Sequence, residues 1–463
     1  MNADNPMKTY EDILHAIGRT PLVKLNKVAP EGGATIYAKC EYMNPSGSIK
    51  DRMAPYIIER AEQEGLLKPG GVIVENTSGN TGQSLAMAAA VKGYRCVFTM
   101  PDKMSREKIN SMKAYGAEVI ITPTDVPGDS PDHYVNRAKK IAEETPGAFY
   151  VNQYHSPWNI EGHCRNLGQE LFEDTDGGKF DVFMGGTGTG GTVSGVGRYM
   201  KEHAPNVKIV GVDPLGSVHY GLFKSGSLPT AYVYAVEGIG EDIECQAMDF
   251  TVVDDMVQVN DRQSFQMARR LVREEGLFCG GSSGSIVHAA VELAKTMSPD
   301  QSIIVTLCDH GSRYISKYLD DEWMADHGFL EEGEELGLVE DLLTEGFATP
   351  VTADADTPIS EIVRLMKEKG VSQIPLMDSG KCSYITHEAD ILRGLRSGEI
   401  TVDAPATEAA SPIAGLIYPK ARLEELFHIF ESDHVAVVVD AAKVVGIVSQ
   451  IDLIDYLAKK KAA

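Results

Sequence analysis

The sequence lacks long apolar runs and is poor in basic residues, and both features exclude classes of protein. Its most apolar stretches, such as Leu85–Val91, are far shorter than the roughly 20 residues that a membrane-spanning helix needs. Lys and Arg number 43 against 67 Asp and Glu, so the formal net charge is −24. Because nucleic acids and anionic membranes would be repelled by this charge, we expect neither as a partner.

Paired cysteine motifs are also missing. The seven cysteines occur singly, at positions 40, 96, 164, 245, 279, 308 and 382, and no two form a CxxC pair. This spacing argues against a disulfide framework and against a structural zinc site, so we expect no metal. The first residues, MNADNPMKTYEDIL, lack the basic-then-apolar pattern of a signal peptide, and we expect a cytoplasmic protein.

From about residue 34 to residue 320, short apolar runs alternate with amphipathic stretches such as Ser105–Gly116 and Asp132–Glu144. Buried strands are predicted at 34–40, 71–76, 95–100, 118–123, 179–184, 207–213 and 302–309. Strands separated by helices pair in parallel through crossovers, so the pattern predicts an α/β domain with helices on both sheet faces.

The C-terminal part of the chain differs from this pattern in composition and in having an internal repeat. Residues 326–346 are acidic and predict a linker, and beyond it the chain repeats itself at an offset of 63 residues. Residues 359–377 align with 422–440, and each copy predicts a helix, a strand, a turn, a strand and a helix. We expect a domain over 1–325, the linker, and two repeats at 347–402 and 403–463 that bury each other's sheets.

The segment NPSGSIKDR at 44–52 follows a predicted strand and opens a helix. It puts Lys50 in the first helical turn, where the helix dipole disfavours a cation. A lysine whose amine forms an imine with a carbonyl cofactor avoids that conflict. The alternative is an exposed surface lysine.

Two other segments gather hydroxyl groups at helix starts. ENTSGNTG at 75–82 combines hydroxyls and an amide where unpaired N–H groups can hold a carboxylate, although Thr77, Ser78 or Asn80 could simply cap the helix. CGGSSGS at 279–285 offers Ser282 as a neutral partner for a ring nitrogen, with a capping role as the alternative.

The glycine-rich segment MGGTGTGGTVSG at 184–195 admits two interpretations. Its glycines would let the backbone wrap a phosphate, with threonine hydroxyls as further donors. Gly186, Gly188 and Gly191 also fit the dinucleotide fingerprint, and Asp213 ends the next strand at a suitable distance for a ribose. The segment alone leaves a single terminal phosphate and a nicotinamide dinucleotide both open.

Taken in order, these four segments resemble the cysteine synthase/cystathionine β-synthase family of fold type II pyridoxal-phosphate enzymes. The likeness extends to GRTPLVKLN (18–26), AVKGYRCVFTMPDKMSREK (90–108) and YAVEGIGED (234–242), and it covers nearly the whole chain. The C-terminal pair resembles the tandem CBS (Bateman) repeats of the heme-less, bacterial-like branch. The resemblance implies a catalytic domain with parallel sheets followed by a CBS pair of α+β repeats.

The resemblance also implies site residues. Lys50 would be the Schiff-base lysine and general base. Pyridoxal 5'-phosphate would contact Asn80 at its 3′-oxygen, Ser282 at its ring nitrogen, and Thr187, Gly188, Thr189, Gly190, Gly191 and Thr192 at its phosphate. The substrate would be bound by Thr77, Ser78, Gly79, Thr81 and Gln153, with Tyr154, Gly238 and Glu241 lining its side. A serine opposite the ring nitrogen leaves that nitrogen largely unprotonated, which favours β-elimination.

The implied reaction joins L-serine and L-homocysteine to give L-cystathionine and water, in a homodimer or homotetramer. Three alternatives remain open. The chain could use O-acetylserine to make cystathionine or cysteine, it could be a nicotinamide dehydrogenase, or it could be a nucleotide-sensing module on an inactive enzyme.

Three features depart from the family pattern. The chain has no Cys-Pro dipeptide of the kind that ligates heme in vertebrate members, so we expect no heme. Glu241 replaces a tyrosine of animal members, which could shift the preference between serine and O-acetylserine. Ser449 and Asp452 fit a ribose-binding pattern, whereas in the first repeat Thr386 is followed by Ala389, with Asp390 one position late. We therefore expect one site for S-adenosylmethionine or an adenine nucleotide, with a purely structural role of the pair as the alternative.

Overall fold

The computed structural model describes residues 9–102, 104–123, 126, 130–330, 336–343, 350–378, 380–413, 415–432, 435–440 and 443–462. The chain divides into two compact units. The first comprises Met1–Gly226 and Tyr234–Asp320, and the second comprises Ser227–Val233 and Asp321–Ala463. Residues 227–233 and 321–325 of the predicted catalytic domain are thus grouped with the second unit.

Strands and helices alternate along the first unit. Its strands are β1 (Leu22–Lys24), β2 (Thr35–Lys39), β3 (Val72–Asn76), β4 (Arg95–Pro101), β5 (Glu118–Thr122), β6 (Ala148–Tyr150), β7 (Val182–Gly186), β8 (Lys208–Pro214), β9 (Asp255–Val259) and β10 (Ser302–Thr306). Its helices are α1 (Ala54–Gln63), α2 (Asn80–Lys92), α3 (Arg106–Ala114), α4 (Tyr134–Glu144), α5 (Pro157–His163), α6 (Gln169–Asp174), α7 (Gly191–His203), α8 (His219–Ser225), α9 (Asp261–Glu275) and α10 (Gly281–Ala294).

These strands form two sheets, in the orders β1-β2-β10-β7-β8-β9 and β5-β4-β3-β6. Every pair is parallel except β1 with β2. Successive residues of a strand enter opposite cores, so that Ile303 packs on one face of the larger sheet and Ile304 on the other. Ile73 and Val74 divide in the same way across the smaller sheet. The predicted α/β class with parallel sheets is confirmed.

Differences from the predicted strands lie at their ends and at the sheet edges. The predicted strand 302–309 stops at Thr306, because Cys308 leaves the sheet to accept a hydrogen bond from the N–H of Ile49. The strand predicted at 179–184 begins at Val182 and continues to Gly186. Strands β1, β6 and β9 were not predicted; each lies at an edge of its sheet, where apolar burial on both faces is not required.

The second unit holds the predicted repeats. Its strands are β11 (Ala353–Asp354), β12 (Gln373–Asp378), β13 (Lys381–His387), β14 (Ala410–Pro412), β15 (Leu416–Ile417), β16 (Val435–Asp440) and β17 (Lys443–Ser449). Its helices are α11 (Asp321–Asp326), α12 (Ile359–Lys369), α13 (Glu388–Ser397), α14 (Glu425–Ser432) and α15 (Gln450–Ala462). The sheets run β11-β12-β13-β14 and β15-β16-β17, and each repeat has the predicted order of elements.

The predicted offset of 63 residues is wrong for the two hairpins. The β12–β13 ladder begins at Gln373↔His387 and the β16–β17 ladder at Val435↔Ser449, so both strands are displaced by 62 residues. Three residues separate α12 from β12 but only two separate α14 from β16, and this difference removes one position from the second copy.

This shift corrects the comparison of the repeats. Asp390 aligns with Asp452, so the acid of the first repeat is in place, and His387 stands where the second has Ser449. Thr386 is buried and donates a hydrogen bond of 2.8 Å to the carbonyl of Ala409. The first repeat therefore lacks an available hydroxyl rather than an acid.

Part of the predicted acidic linker belongs to the hydrophobic core of the second repeat. Val339 is fully buried, its N–H donates to the carbonyl of Ala421 at 2.8 Å, and it packs with Leu342 in the core of the second repeat. Residues 331–335 and 344–346 of the predicted linker lie outside the described residues. Across the part of the chain that the structure describes, no helix is long and apolar enough to cross a bilayer.

Candidate active site

Three of the four segments with candidate chemistry follow the carboxyl ends of parallel strands. The segment 44–52 follows β2, the loop 77–82 follows β3, and the loop 187–192 follows β7. The fourth, 279–285, opens α10. The carboxyl edge of a parallel sheet is where α/β proteins bind ligands, because helix N-termini point toward it.

Backbone and side-chain contacts bring these segments together around Asp309. The N–H of Ile49 donates to the carbonyl of Cys308 at 2.8 Å, and the N–H of Gly280 donates to the carbonyl of Asp309 at 2.9 Å. Nδ2 of Asn80 donates to Oδ2 of Asp309, also at 2.8 Å. The lysine segment, the 77–82 loop and the start of α10 therefore meet at one point.

A second set of contacts connects the remaining predicted residues. Oγ1 of Thr81 donates to Oε1 of Gln153 at 2.6 Å. Nδ2 of Asn159 donates to the carbonyl of Gln153 at 2.9 Å and to Oγ1 of Thr189 at 3.0 Å. A Cβ placed on Gly238 would lie 3.7 Å from Oγ of Ser282. These contacts connect Thr81 with Gln153, Gln153 with Thr189 through Asn159, and Gly238 with Ser282.

Lys50 lies on a 3-10 turn, Ile49–Arg52, rather than on the predicted α-helix, and Oγ of Ser48 accepts its N–H at 3.3 Å. Among the described residues its amine has no hydrogen-bond or ion-pair partner. The charge of Lys50 nevertheless reaches its surroundings: with burial as the larger cause, it depresses the pKa of His163. The amine of Lys50 therefore lies beside the site without a hydrogen-bond or ion-pair partner among the described residues.

Buried charges anchor the turn on both sides of Lys50. Arg52 donates to Oε1 of Glu41 at 2.7 Å and to Oε1 of Glu170 at 3.0 Å. Asp51 accepts from the N–H of Ser46 at 2.7 Å and from Oγ of Ser84 at 2.5 Å. Because their polar atoms are paired, these residues fix the turn rather than perform chemistry.

The loop before α7 forms a cradle that excludes side chains. Gly190 has a φ of +90°, and a Cβ there would lie 2.5 Å from Cα of Met248. A Cβ on Gly191 would lie 2.0 Å from Oδ1 of Asn159. Oγ1 of Thr192, in the first turn of α7, lies 3.3 Å from Nε2 of His163. Backbone N–H groups and one hydroxyl at a helix N-terminus suit a phosphate.

Thr187 departs from its predicted role. Its hydroxyl donates to Oδ1 of Asp213 at 2.6 Å and is fully buried, so it is not available to a phosphate. The same bond argues against the dinucleotide interpretation, because Asp213 is fully buried and its other oxygen accepts the N–H of Tyr220 at 2.9 Å. A ribose-binding acid must be open to the ligand.

The loop at the start of α2 offers hydroxyls and N–H groups. Oγ1 of Thr77 accepts the N–H groups of Gly79 and Gly82, both at 3.1 Å, so it caps the helix as well as facing the loop. Ser78 is exposed. The hydroxyl proton of Thr81 is already donated to Gln153, which leaves its N–H as the group that can bind a carboxylate.

Glu241 is a partly buried acid whose carboxyl is influenced by the charge of Lys50. Burial raises its pKa to about 8, with a smaller contribution from Asp242, while the charge of Lys50 opposes the shift. Tyr154 is buried beside it, and burial together with Glu241 raises the pKa of Tyr154 well above its usual range. The raised pKa of Glu241 therefore favours its protonated, neutral form.

Several residues of the site were not predicted from the sequence. Glu237 forms ion pairs with Lys108 and Lys317, whose charges outweigh the effect of burial and hold its pKa below the usual range. Asn159 occupies the space beside Gly191. Asp309 is the residue that contacts most of the segments, and its position just after a parallel strand is the signal that could have identified it.

The polar atoms of the site fit pyridoxal phosphate. Oγ of Ser282, Oδ1 of Asn80 and Oδ1 of Asp309 are buried and lack hydrogen-bond partners among the described residues. Buried polar atoms are nearly always paired, so such a group of atoms indicates a polar ligand. Oγ of Ser282 suits the ring nitrogen of this cofactor, while the amine of Lys50 and the glycine cradle suit its carbonyl carbon and its phosphate. No cluster of three metal-ligating side chains occurs in the described ranges.

Comparison with known families agrees with this chemistry. The family model described as "Pyridoxal-phosphate dependent enzyme" matches residues 13–309. The model described as "CBS domain" matches residues 339–397 and 414–459.

Curated relatives match along most of the chain. A cystathionine beta-synthase of Dictyostelium discoideum is 37% identical over 97% of this chain and 93% of that protein. A cystathionine beta-synthase of Saccharomyces cerevisiae is 33% identical over 96% of this chain and 98% of that protein. Among solved structures, an O-ureido-L-serine synthase is 34% identical with a TM-score of 0.63, covering 71% of this chain and 98% of its own.

Proposed function

Because the chain belongs to the family of pyridoxal-phosphate-dependent enzymes that includes the cystathionine β-synthases, we propose that it condenses L-serine with L-homocysteine to L-cystathionine and water. The observation that carries the proposal is that the segments holding Lys50, Asn80 and Ser282 meet around Asp309, where buried polar atoms of Asn80, Ser282 and Asp309 lack partners among the described residues.

In this proposal Lys50 holds pyridoxal phosphate through its amine, and the loop 188–192 holds the phosphate at the start of α7. Nδ2 of Asn80 donates to the 3′-oxygen, and Oγ of Ser282 faces the ring nitrogen. When bound, the cofactor supplies an electron sink for the charge that develops at the α-carbon of the amino acid.

The residues of the chain then bind the substrate and move protons. The first N–H groups of α2, with Thr77, Ser78 and Gln153, bind the serine carboxylate. Once the amino group of serine has taken its place, Nζ of Lys50 removes the α-proton of serine and passes it to the β-hydroxyl, which leaves as water. The sulfur of homocysteine then forms the new bond to the β-carbon, and Nζ takes up the thiol proton. Nζ of Lys50 finally returns a proton to the α-carbon.

The resemblance implies a second candidate, use of O-acetylserine, because Glu241 departs from the family pattern near the substrate. The raised pKa of Glu241 reduces its negative charge near pH 7, which is compatible with a carboxylate-bearing second substrate such as homocysteine. Rates with serine or O-acetylserine, each combined with homocysteine or sulfide, separate the two candidates.

The test of the main proposal is the visible absorption spectrum of the purified protein, before and after L-serine, with mass-spectrometric detection of cystathionine once homocysteine is added. We expect a cofactor band that serine changes, and Lys50→Ala should lose both the change and the product while remaining folded. A protein with no cofactor band after reconstitution, or a Lys50→Ala variant with near-normal turnover, would contradict the proposal.

Further parts of the proposal concern assembly and location. We infer a homodimer or homotetramer, a cytoplasmic location and a holoenzyme without heme. The seven cysteines, all free, support a reducing compartment. Sedimentation gives the oligomeric state, cell fractionation gives the location, and a Soret band in the purified protein would contradict the absence of heme.

For the CBS pair, we propose an S-adenosylmethionine or adenine-nucleotide site at Ser449 and Asp452. Oδ2 of Asp452 accepts from the N–H of Ser449 at 2.8 Å and from its Oγ at 2.5 Å, which holds hydroxyl and acid together at the start of α15. This pairing supports recognition of a ribose, whose hydroxyls need a donor and an acceptor. The competing role is that Asp452 only caps α15.

A further inference from the structure

Asp309 is immobilised from three directions. It is 1% exposed, its backbone pairs with Ser48, and its carbonyl accepts the N–H of Gly280 at 2.9 Å. Its side chain reaches the 77–82 loop, where Nδ2 of Asn80 donates to Oδ2 at 2.8 Å. The hydroxyl of Tyr314 donates to the same oxygen at 2.7 Å.

This contact specifies the orientation of the Asn80 amide. An asparagine amide can present either its oxygen or its nitrogen to a neighbour, and only the hydrogen-bond network decides between them. A carboxylate oxygen only accepts hydrogen bonds, so the group facing Asp309 must be the NH2. That nitrogen keeps a second N–H for another acceptor.

We propose that Asp309 is a positioning residue that aims this second N–H of Asn80 at the 3′-oxygen of the cofactor, and so favours the deprotonated form of that oxygen. The inference rests on the proposed function, which supplies the cofactor. If the amide were reversed, its carbonyl oxygen would face the 3′-oxygen and would favour the protonated form instead.

Two observations argue that Asp309 does more than stabilise the fold. Its Oδ1 is buried without a partner among the described residues, which a residue kept only for stability would avoid. Gly280 also leaves room for this carboxylate, because a Cβ there would lie 1.9 Å from Oδ1. Keeping the Asp309 carboxylate beside Asn80 therefore requires a buried oxygen without a partner among the described residues and a glycine at position 280.

The test compares D309N with Y314F in the pyridoxal-phosphate-loaded protein. An amide at 309 can accept or donate, so it no longer specifies Asn80, whereas Y314F removes the other bond to the same oxygen. The readout is the ratio of the long- and short-wavelength bands of bound cofactor, which report the deprotonated and protonated 3′-oxygen. We expect D309N to shift the ratio toward the short-wavelength band by about tenfold, the effect of one hydrogen bond to a charged oxygen. Y314F should keep the wild-type ratio.

Coupling to Asn80 separates positioning from a general structural effect. In an N80A background, D309N should change the ratio no further, because the amide that it orients is gone. If D309N does not fold, D309S removes the carboxylate and serves the same comparison. A wild-type ratio in the folded variant, or an equal shift in the N80A background, would overturn the role of Asp309 alone. A wild-type protein that shows no cofactor band would overturn the proposed function and this role with it.

Discussion

The hydroxyl of Thr187 donates a hydrogen bond of 2.6 Å to the carboxyl of Asp213, and both side chains are fully buried. These residues carry two competing interpretations of the glycine-rich loop, one as a phosphate donor and the other as a ribose-binding acid. Their mutual bond removes both from the ligand. The loop is left with its glycines, its backbone N–H groups, Thr189 and Thr192, a set that suits one terminal phosphate.

Thr187→Val should therefore destabilise the protein without weakening cofactor binding. The substitution leaves Oδ1 of Asp213 buried without its donor, which costs about 1–3 kcal/mol of unfolding free energy. Urea unfolding measures this cost, and fluorescence titration with pyridoxal phosphate measures affinity. The matched variant Thr192→Val should instead raise the dissociation constant about tenfold, because it removes a hydroxyl at the start of α7. Equal losses of affinity for pyridoxal phosphate in both variants would show that Thr187 contacts the phosphate.

Gly190→Ala should impair both folding and cofactor binding. Gly190 has a φ of +90°, and an added Cβ would meet Cα of Met248 at 2.5 Å, so the loop must move. Gly226→Ala is the control: its φ of +69° carries a similar backbone penalty of roughly 1–2 kcal/mol, but nothing lies within 4 Å of its Cβ position. Thermal unfolding and pyridoxal-phosphate titration should show a moderate stability loss alone for Gly226→Ala. Normal affinity of Gly190→Ala for pyridoxal phosphate would contradict the proposal that this loop holds the phosphate.

Much of this site is local in the sequence, and that part could be predicted. Lys50, Asn80 and Ser282 each lie within a short segment of glycines and hydroxyls at the start of a helix or turn. Asp309 could not be placed, because its role depends on the pairing of its backbone with Ser48, more than two hundred residues away along the chain. The prediction for Thr187 was wrong for a related reason. A side chain in a loop predicted to bind phosphate can turn toward the neighbouring strand, and only the tertiary structure decides which way it points.

The repeats show a similar limit at the level of the fold. Apolar periodicity predicted the order of their elements, but it could not detect one residue lost between a helix and a strand. Side chains alternate along a strand, so an error of one position changes which face is compared. The predicted offset made the buried Thr386 equivalent to Ser449, whereas the structure makes His387 its equivalent.

Glu75→Gln should flatten the pH dependence of stability. Glu75 is fully buried, and burial raises its pKa to about 8, while N–H groups of Asn152 and Gln153 oppose the shift. Folding therefore favours the protonated acid. This stabilisation is complete below the ordinary pKa of about 4.3 and is lost as pH rises toward 8, with a slope of at most about 1.4 kcal/mol per pH unit. Denaturant unfolding from pH 5 to 9 should show a smaller loss for the glutamine variant. An identical slope in both proteins would contradict the raised pKa.

Asp452→Ala should weaken binding of S-adenosylmethionine, measured by isothermal titration calorimetry on the full chain. Asp390→Ala is the matched control, since Asp390 aligns with Asp452 but has His387 in place of the serine. We expect about a tenfold weaker affinity for Asp452→Ala and no change for Asp390→Ala. Absence of binding to the wild-type protein by either S-adenosylmethionine or adenine nucleotides would favour a purely structural pair.

Glu241→Gln should remove a pH dependence from the use of homocysteine. The pKa of Glu241 is raised to about 8 by burial first and by Asp242 second, so the wild-type carboxyl becomes charged between about pH 7 and pH 9. A negative charge there repels the carboxylate of homocysteine, and we expect the KM for homocysteine to rise over this range by several-fold, or about 1 kcal/mol. The amide cannot ionise, so Glu241→Gln should keep a KM near the low-pH value of the wild type. The serine KM is the internal control, because in the proposed function serine binds at the start of α2. Titration of homocysteine or of Lys50 itself affects both proteins alike. A parallel rise in KM for the two proteins would show that Glu241 does not face the second substrate.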